Sequence, residues 1–470
     1  MNASCSSLLM WRRANAAFVT LSGLATRVIA VIALCATMAV ILPAQKLTTY
    51  SFDDAGGVSP APLIQATNGN LWGTTSTMVY EITPGLVLTT VTNTLGGASY
   101  GALAQAANGD FYGTTLAGGG SFFKMTPAGD VTILYTFCTQ GGSTCPYDPI
   151  GALVQGANGD FYGTTYFGGE YGYGTVFRIA PSGGPPVTLY SFCSQSECTD
   201  GSSPSAGLIQ VANGDFYGTT ELGGANRDGT VFKITPSGML TTLHSFDGSD
   251  GAYPMAVLIQ AANGEFYGTT SGGGPGSCGV VFKMTPSGAL TVLASFDGTD
   301  GCSPLGVLQG GDGNFYGTTA TGGTKGSGTI FKITPVGALS TVYNFCSETD
   351  CADGSYPAAG LVQDTNGDFY GTTSGGGEYY GGTVFRFSVG LPPFVETQTT
   401  FGAVGATVKI LGTNLTGATS VSFNGTPATI GVVSSSEITT TVPTGATTGK
   451  VEVVTPHGTL STLVPFTVLP

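Results

Sequence analysis

The chain has 470 residues, of which 76 are glycine and only 9% are charged, a composition that suits tightly turned strands and excludes a helical bundle. Its 28 acidic and 14 basic residues give a net charge of −14, and a surface of that sign repels phosphate backbones, which excludes nucleic acid as a partner. The only histidines, His244 and His457, stand far apart, so neither a Ser-His-Asp triad nor a multi-histidine metal site can be assembled.

Residues 1–44 carry Arg12, Arg13 and Arg27 and then an apolar run over 28–44, which reads as a signal peptide or an N-terminal membrane anchor. The Arg12-Arg13 pair lacks the flanks of a twin-arginine signal, and Cys35 follows Leu34 where lipidation wants a small residue. With the three arginines gone, 28 acids face 11 bases, a net −17. Cys5 and Cys35 lie in this leader. The remaining eight cysteines form an even set, as in exported proteins. Cys138 with Cys145, Cys193 with Cys198, and Cys346 with Cys351 stand close together at one point of three repeats, each pair reading as a disulfide across one loop.

The repeat is set by Gly-Thr-Thr after an aromatic pair, starting at Gly73, Gly113, Gly163, Gly218, Gly268, Gly317 and Gly371. A period near 50 residues with four short strand-like runs marks a β-propeller blade. In the third unit the runs are 150–155, 160–165, 175–180 and 187–192, with tight turns at Asn158-Gly159 and Pro181-Ser182-Gly183. The chain opens on a fourth-strand run at 48–52, and its last repeat stops at a third-strand run at 383–387. A ring resolves this if the N-terminal strand completes the last blade. Seven blades over 45–389 follow. Cys278 and Cys302, without partners in their own loops, then fall on one side of neighbouring blades and are expected to form one inter-blade disulfide.

Repeats such as LIQAANGEFYGTTSGGG followed by GVVFKMTPSGALTVLASF resemble the GloVer tandem repeat of bacterial "choice-of-anchor" exported proteins, across 47 to about 389. That resemblance implies export and no established chemistry. After the linker at 390–393, residues 394–470 resemble an IPT/TIG domain through GATVKILGTNLTGATSVSFNGTPATIGVVSSSEITTTVPTGATTGKVEVVTP, which implies an immunoglobulin-like sandwich. The fold expected is all-β, a seven-bladed β-propeller followed by an immunoglobulin-like β-sandwich. Asn414 and Asn424 match glycosylation sequons but stand at turns.

Paired carboxylates would suffice for a glycosidase, yet the candidates Asp110, Asp160, Asp215, Glu265 and Asp368 recur at one hairpin position, whereas an active site needs one distinctive pair. They read as turn acids that pair with Lys124, Arg178, Lys233, Lys283 and Arg386 on the third strand. The first repeat, with Asn70 and Glu81, loses both partners, and the sixth sets Asn314 against Lys332. Asp247 with Asp250, and Asp297 with Asp300, offer too few oxygens for calcium and read as Asp-turns.

If the tight turns share one side of the ring, the long connections share the other. These carry Tyr166, Phe167, Glu170, Tyr171 and Tyr173, then Arg227 and Asp228, then Glu378, Tyr379 and Tyr380. Tyrosines with scattered carboxylates suit sugar stacking or protein contact; the plain alternative is that they cover the blade tops. The expected function is an exported, non-enzymatic binding or cell-surface scaffold protein for an extracellular glycan or protein. No catalytic residues, metal or cofactor are nominated, and membrane association would run only through an uncleaved N-terminal segment. The alternatives are a carbohydrate-active lyase or hydrolase on the same face, and purely structural display.

Overall fold

The computed structural model describes residues 45–53, 60–92, 95, 97–138 and 144–470; the leader, with Cys5 and Cys35, lies outside them. Seven antiparallel sheets follow one another along the chain. In the third, Val154–Gln155, Phe161–Thr165, Thr175–Ile179 and Val187–Ser191 pair in sequence order. The seventh is finished from the other end of the chain: Lys46–Ser51 lies against Thr383–Ser388, with Lys46 opposite Ser388 and Ser51 opposite Thr383. That pairing closes the ring. Among the described residues no helix is long and apolar enough to cross a membrane.

Each residue of the repeated phrase has a packing duty. Gly163 stands opposite Phe177, and a Cβ on it would lie 2.8 Å from the Phe177 ring, so the ring occupies the space a side chain would need. Thr164 sends its hydroxyl 2.9 Å to the Ala206 carbonyl of the next blade, and Thr165 meets the Thr175 hydroxyl at 2.8 Å. Tyr162 stacks on Phe216 of the next blade at 4.1 Å between ring centres. The same aromatic contact recurs at five further joints, from Trp72 on Phe111 to Tyr316 on Phe369. The motif therefore builds blades and joints alike.

The first strand is shorter than expected. Only Val154–Gln155 pairs, while Ile150, Gly151 and Ala152 line a central channel of about 410 Å³ with their counterparts in the other blades. At the axis neighbouring backbones crowd together, since a Cβ on Gly151 would sit 2.7 Å from the Ala206 carbonyl oxygen, so in blade three these residues face other blades instead of extending their own sheet, whereas in blade six Cys302–Gln309 pairs along its length across a bulge.

The hairpin charges also differ in two blades. Lys124–Asp110, Arg178–Asp160, Lys233–Asp215, Lys283–Glu265 and Arg386–Asp368 pair as read. Lys332, however, pairs with Asp312 at 2.9 Å rather than standing against Asn314. Here Asp-Gly-Asn replaces Asn-Gly-Asp, and since both side chains flank one spot, the carboxylate stays within reach. In the first blade Glu81 on the third strand accepts from Asn68 and Asn70 at 2.6 and 2.7 Å, so the bond is inverted rather than lost.

Residues 394–470 form two four-stranded sheets and a parallel pair, Phe401–Ala403 with Thr467–Leu469, around Val408, Ile410, Val421, Phe423, Ile438, Val453 and Phe466. Asn414 and Asn424 have left-handed backbones, and the Asn424 amide donates to Thr447 and to the Thr448 carbonyl. The sandwich docks on the turn side of the ring: the Ser436 hydroxyl donates to the Thr67 carbonyl at 2.8 Å, and the Thr365 and Thr413 hydroxyls lie 3.1 Å apart. Ring and sandwich thus form one unit from Lys46 to Pro470.

Candidate functional site

Strand direction sends every connection after a second or fourth strand to the same side of the ring. Two loop sets interlock there. After each of five fourth strands the chain reaches a residue in the left-handed region, Asp148, Ser203, Tyr253, Ser303 or Tyr356, with φ between 55° and 60°, followed by proline. Its N–H donates to a carbonyl in the loop of the preceding blade, as Ser203 to Tyr173 at 2.8 Å, Tyr253 to Asp228 at 2.9 Å and Tyr356 to Ser327 at 2.8 Å. The loops are therefore held in place by backbone bonds, and Tyr253 and Tyr356 keep their rings exposed.

Cysteines reinforce the same side. Cys138–Cys145, Cys193–Cys198 and Cys346–Cys351 each close one loop, and Cys278–Cys302 joins blade five to blade six with α-carbons 4.5 Å apart. Where the first Asp of the loop replaces cysteine, Asp247 accepts from Ser249 and from the Asp250 N–H, a closed Asp-turn. Asp250 in turn meets His244 at 2.7 Å, the place taken by Tyr190 on Asp200 and Tyr343 on Asp353 in sister blades. His244 is thus one version of a repeated loop clamp.

The nominated residues fall into separate patches. Tyr166, Glu170, Tyr171 and Tyr173 share the loop of blade three; Tyr171 and Tyr173 are exposed, while Phe167 stacks on Tyr147 at 5.1 Å. Half-buried Tyr166 is turned toward Glu221 of blade four. Burial pushes the Tyr166 hydroxyl up and the Glu221 carboxyl up as well, the latter against the pull of the nearby Tyr166 and Ser205 hydroxyls. Arg227 is exposed with φ 70°, and Asp228 is held through its carbonyl by Tyr253. Glu378, Tyr379 and Tyr380 lie across the ring on blade seven, where Glu378 N–H donates to the Ser51 hydroxyl of the closing strand.

Sequence reasoning missed half of this surface. Tyr253 and Tyr356 are exposed on the same side and Tyr100 lines the central channel; with Phe167, Tyr171, Tyr173, Tyr379 and Tyr380 they make up all eight exposed aromatic residues among those described. Tyr253 and Tyr356 stand where sister blades have Ser203, Ser303 and Asp148, and that exchange of a small polar residue for a ring was the available signal. Also missed were Asp53, Glu348 and Asp350, which line a groove of about 1030 Å³ with Glu378, Tyr379 and Tyr380. Among the described residues no group of three or more His, Cys, Asp or Glu gathers as metal ligands.

Compared with known proteins, the chain matches the Gloeobacter/Verrucomicrobia repeat over 77–278 and 255–422, and the IPT/TIG domain over 393–468. No curated protein matches it. Among solved structures, a streptogramin B lyase superposes with a TM-score of 0.53 at 14% identity, covering 73% of this chain and 97% of that one. A catalytically inactive virginiamycin B lyase from Staphylococcus aureus with quinupristin gives 0.53 at 16%, covering 73% and 99%. The extracellular domain of a hybrid two-component system from B. thetaiotaomicron gives 0.51 at 11%, covering 90% and 55%. At such identities the likeness is one of fold.

Proposed function

The chain belongs to the Gloeobacter/Verrucomicrobia repeat family, and on that premise we propose that it is an exported, non-enzymatic binding or cell-surface scaffold protein whose ligand surface is the loop side of the propeller. One observation carries this reading: seven of the eight exposed aromatic rings among the described residues lie on that side, although the opposite side presents as many turns. Rings exposed on a scaffold of backbone-bonded loops stack on sugars or on protein side chains at little entropic cost. Four disulfides and the apolar run over 28–44 support export. The IPT/TIG sandwich, docked on the opposite side, leaves the loop side uncovered and suits a spacer.

A second reading, a carbohydrate-active lyase or hydrolase, rests on Glu221. It is the one carboxyl at its position in the seven blades, half-buried and raised beside the Tyr166 hydroxyl, as a general base or acid would be. Incubation with a polysaccharide panel separates the readings. Retention on a glycan or protein column without products supports binding, weakened by Tyr171→Ala with Tyr173→Ala. Shortened or unsaturated products, lost in Glu221→Gln, would establish the enzyme instead.

A further inference from the structure

Charge is sorted between the two sides of the ring. Among its described residues the turn side carries nine carboxylates and seven cations, a net −2, and its Lys and Arg ion pairs are the hairpin fasteners. Among its described residues the loop side carries fifteen carboxylates against Arg227 and Lys325, a net −13, and there Asp250 pairs with His244 at 2.7 Å. Thus most of the acid excess coincides with seven of the eight exposed aromatic rings among the described residues. Resting on the reading of the loop side as a ligand surface, we infer that this side docks a lysine- or arginine-rich segment of an extracellular protein.

The chemistry selects that occupant over a glycan. An uncharged sugar would use the rings but gain nothing from the field, and an anionic polymer would be repelled by it. A cationic side chain uses both, since ammonium and guanidinium groups bind ring faces as well as carboxylates. The groove on blade seven combines the two elements: Asp53, Glu348, Asp350 and Glu378 supply carboxylates, with Tyr379 50% and Tyr380 67% exposed beside them. Its lining joins a strand edge at Thr49, Tyr50 and Ser51 to two loops, so an extended chain lying across it meets the carboxylates of both loops and the two rings together. Nearby carboxylates reach a partner through roughly a Debye length of ~10 Å at moderate salt, so the whole side steers the segment inward.

The test uses the exported protein and three probes: a lysine/arginine-rich peptide, a neutral hexasaccharide and a deacetylated chitin oligomer. Titration calorimetry should show the peptide binding at low salt and weakening about tenfold or more at high salt. Glu348→Gln/Asp350→Asn/Glu378→Gln should weaken it about tenfold, as should Tyr379→Ala/Tyr380→Ala, with melting temperature unchanged. The turn-side variant Asp160→Asn/Asp215→Asn/Glu265→Gln removes the same charge and should leave affinity within about twofold. Equal weakening by that variant would reduce the effect to net charge and overturn the inference. So would binding of the chitin oligomer or hexasaccharide without binding of the peptide, which leaves the loop side standing as a ligand surface. Should all three probes fail to bind, the inference falls, while retention on the polysaccharide panel or protein column still decides the reading of the loop side as a ligand surface.

Discussion

Gly218 lies in the second strand of blade four, with Leu208 Cδ2 and Phe232 Cζ each 2.7 Å from where a Cβ would stand. Both neighbours are buried, so neither can swing away. Gly218→Ala should therefore cost about 1–3 kcal/mol by overpacking, read as a lowered urea midpoint at unchanged slope. A second residue tests electrostatics. Asp364 follows Gln363 where sister blades place Ala66, Ala106, Gly156, Val211, Ala261 and Gly310, and it is 1% exposed. Burial, with the Asp368 charge adding to it, raises its carboxyl from 3.8 to about 7, against the Asn366 N–H bond and Arg386, which lower it. Because the folded state holds the proton more tightly, its stabilising contribution is full below about pH 4, falls as pH rises toward 7, and is level above. Asp364→Asn should remove that slope, roughly 1.4 kcal/mol per pH unit, and gain on the parent protein as pH rises through the window. Urea melts at several pH values decide it; parallel curves for the two proteins would refute the assignment.

At the scale of strands and loops, the inter-blade disulfide is the element whose removal is easiest to read. Cys278 and Cys302 are 24 residues apart, against five or seven for the local pairs, and chain entropy gives such a loop about 3 kcal/mol against about 2 for the shortest. Cys278→Ser/Cys302→Ser should thus lower stability more than Cys193→Ser/Cys198→Ser in chemical melts. The pairing was legible because it follows from strand order alone. Other elements were not. The Gly-Thr-Thr period revealed the blades, but the run at 150–155 contained no mark of where sheet pairing ends and the channel wall begins, because crowding at the axis is a property of the assembled ring. Lys332 was set against Asn314 because a position was compared where a location mattered; Asp312 and Asn314 flank the same point of the hairpin. The loop surface was half legible: tyrosines in varied connections stood out, whereas Tyr253 and Tyr356 were hidden by the proline that follows them.

At the scale of the whole molecule, closure depends on six residues at the start of the described chain. Lys46–Ser51 supplies the outer strand of blade seven, and Phe52 behind it is buried against Tyr80 of blade one at 5.3 Å between rings. One segment thereby joins the first and last blades twice, once by backbone pairing and once by packing. Its removal would leave the Thr383–Ser388 strand as an open edge and take a ring out of the cluster formed by Leu63, Leu71, Tyr80 and Tyr370. Every blade leans on both neighbours through an aromatic contact, and at the closing joint that contact is Phe52 on Tyr80. A chain lacking residues 45–53 should melt at lower temperature, bind a hydrophobic dye, and associate through the exposed edge as dimers or larger species in size-exclusion chromatography. Supplying a peptide of residues 45–53 in trans should restore the monomer, because the edge it leaves is shaped for that strand. If the truncated chain stays monomeric with unaltered melting, the ring does not depend on its N-terminal strand, and closure must instead be carried by the packing of Tyr370 and Val384 against Leu63, Leu71 and Tyr80.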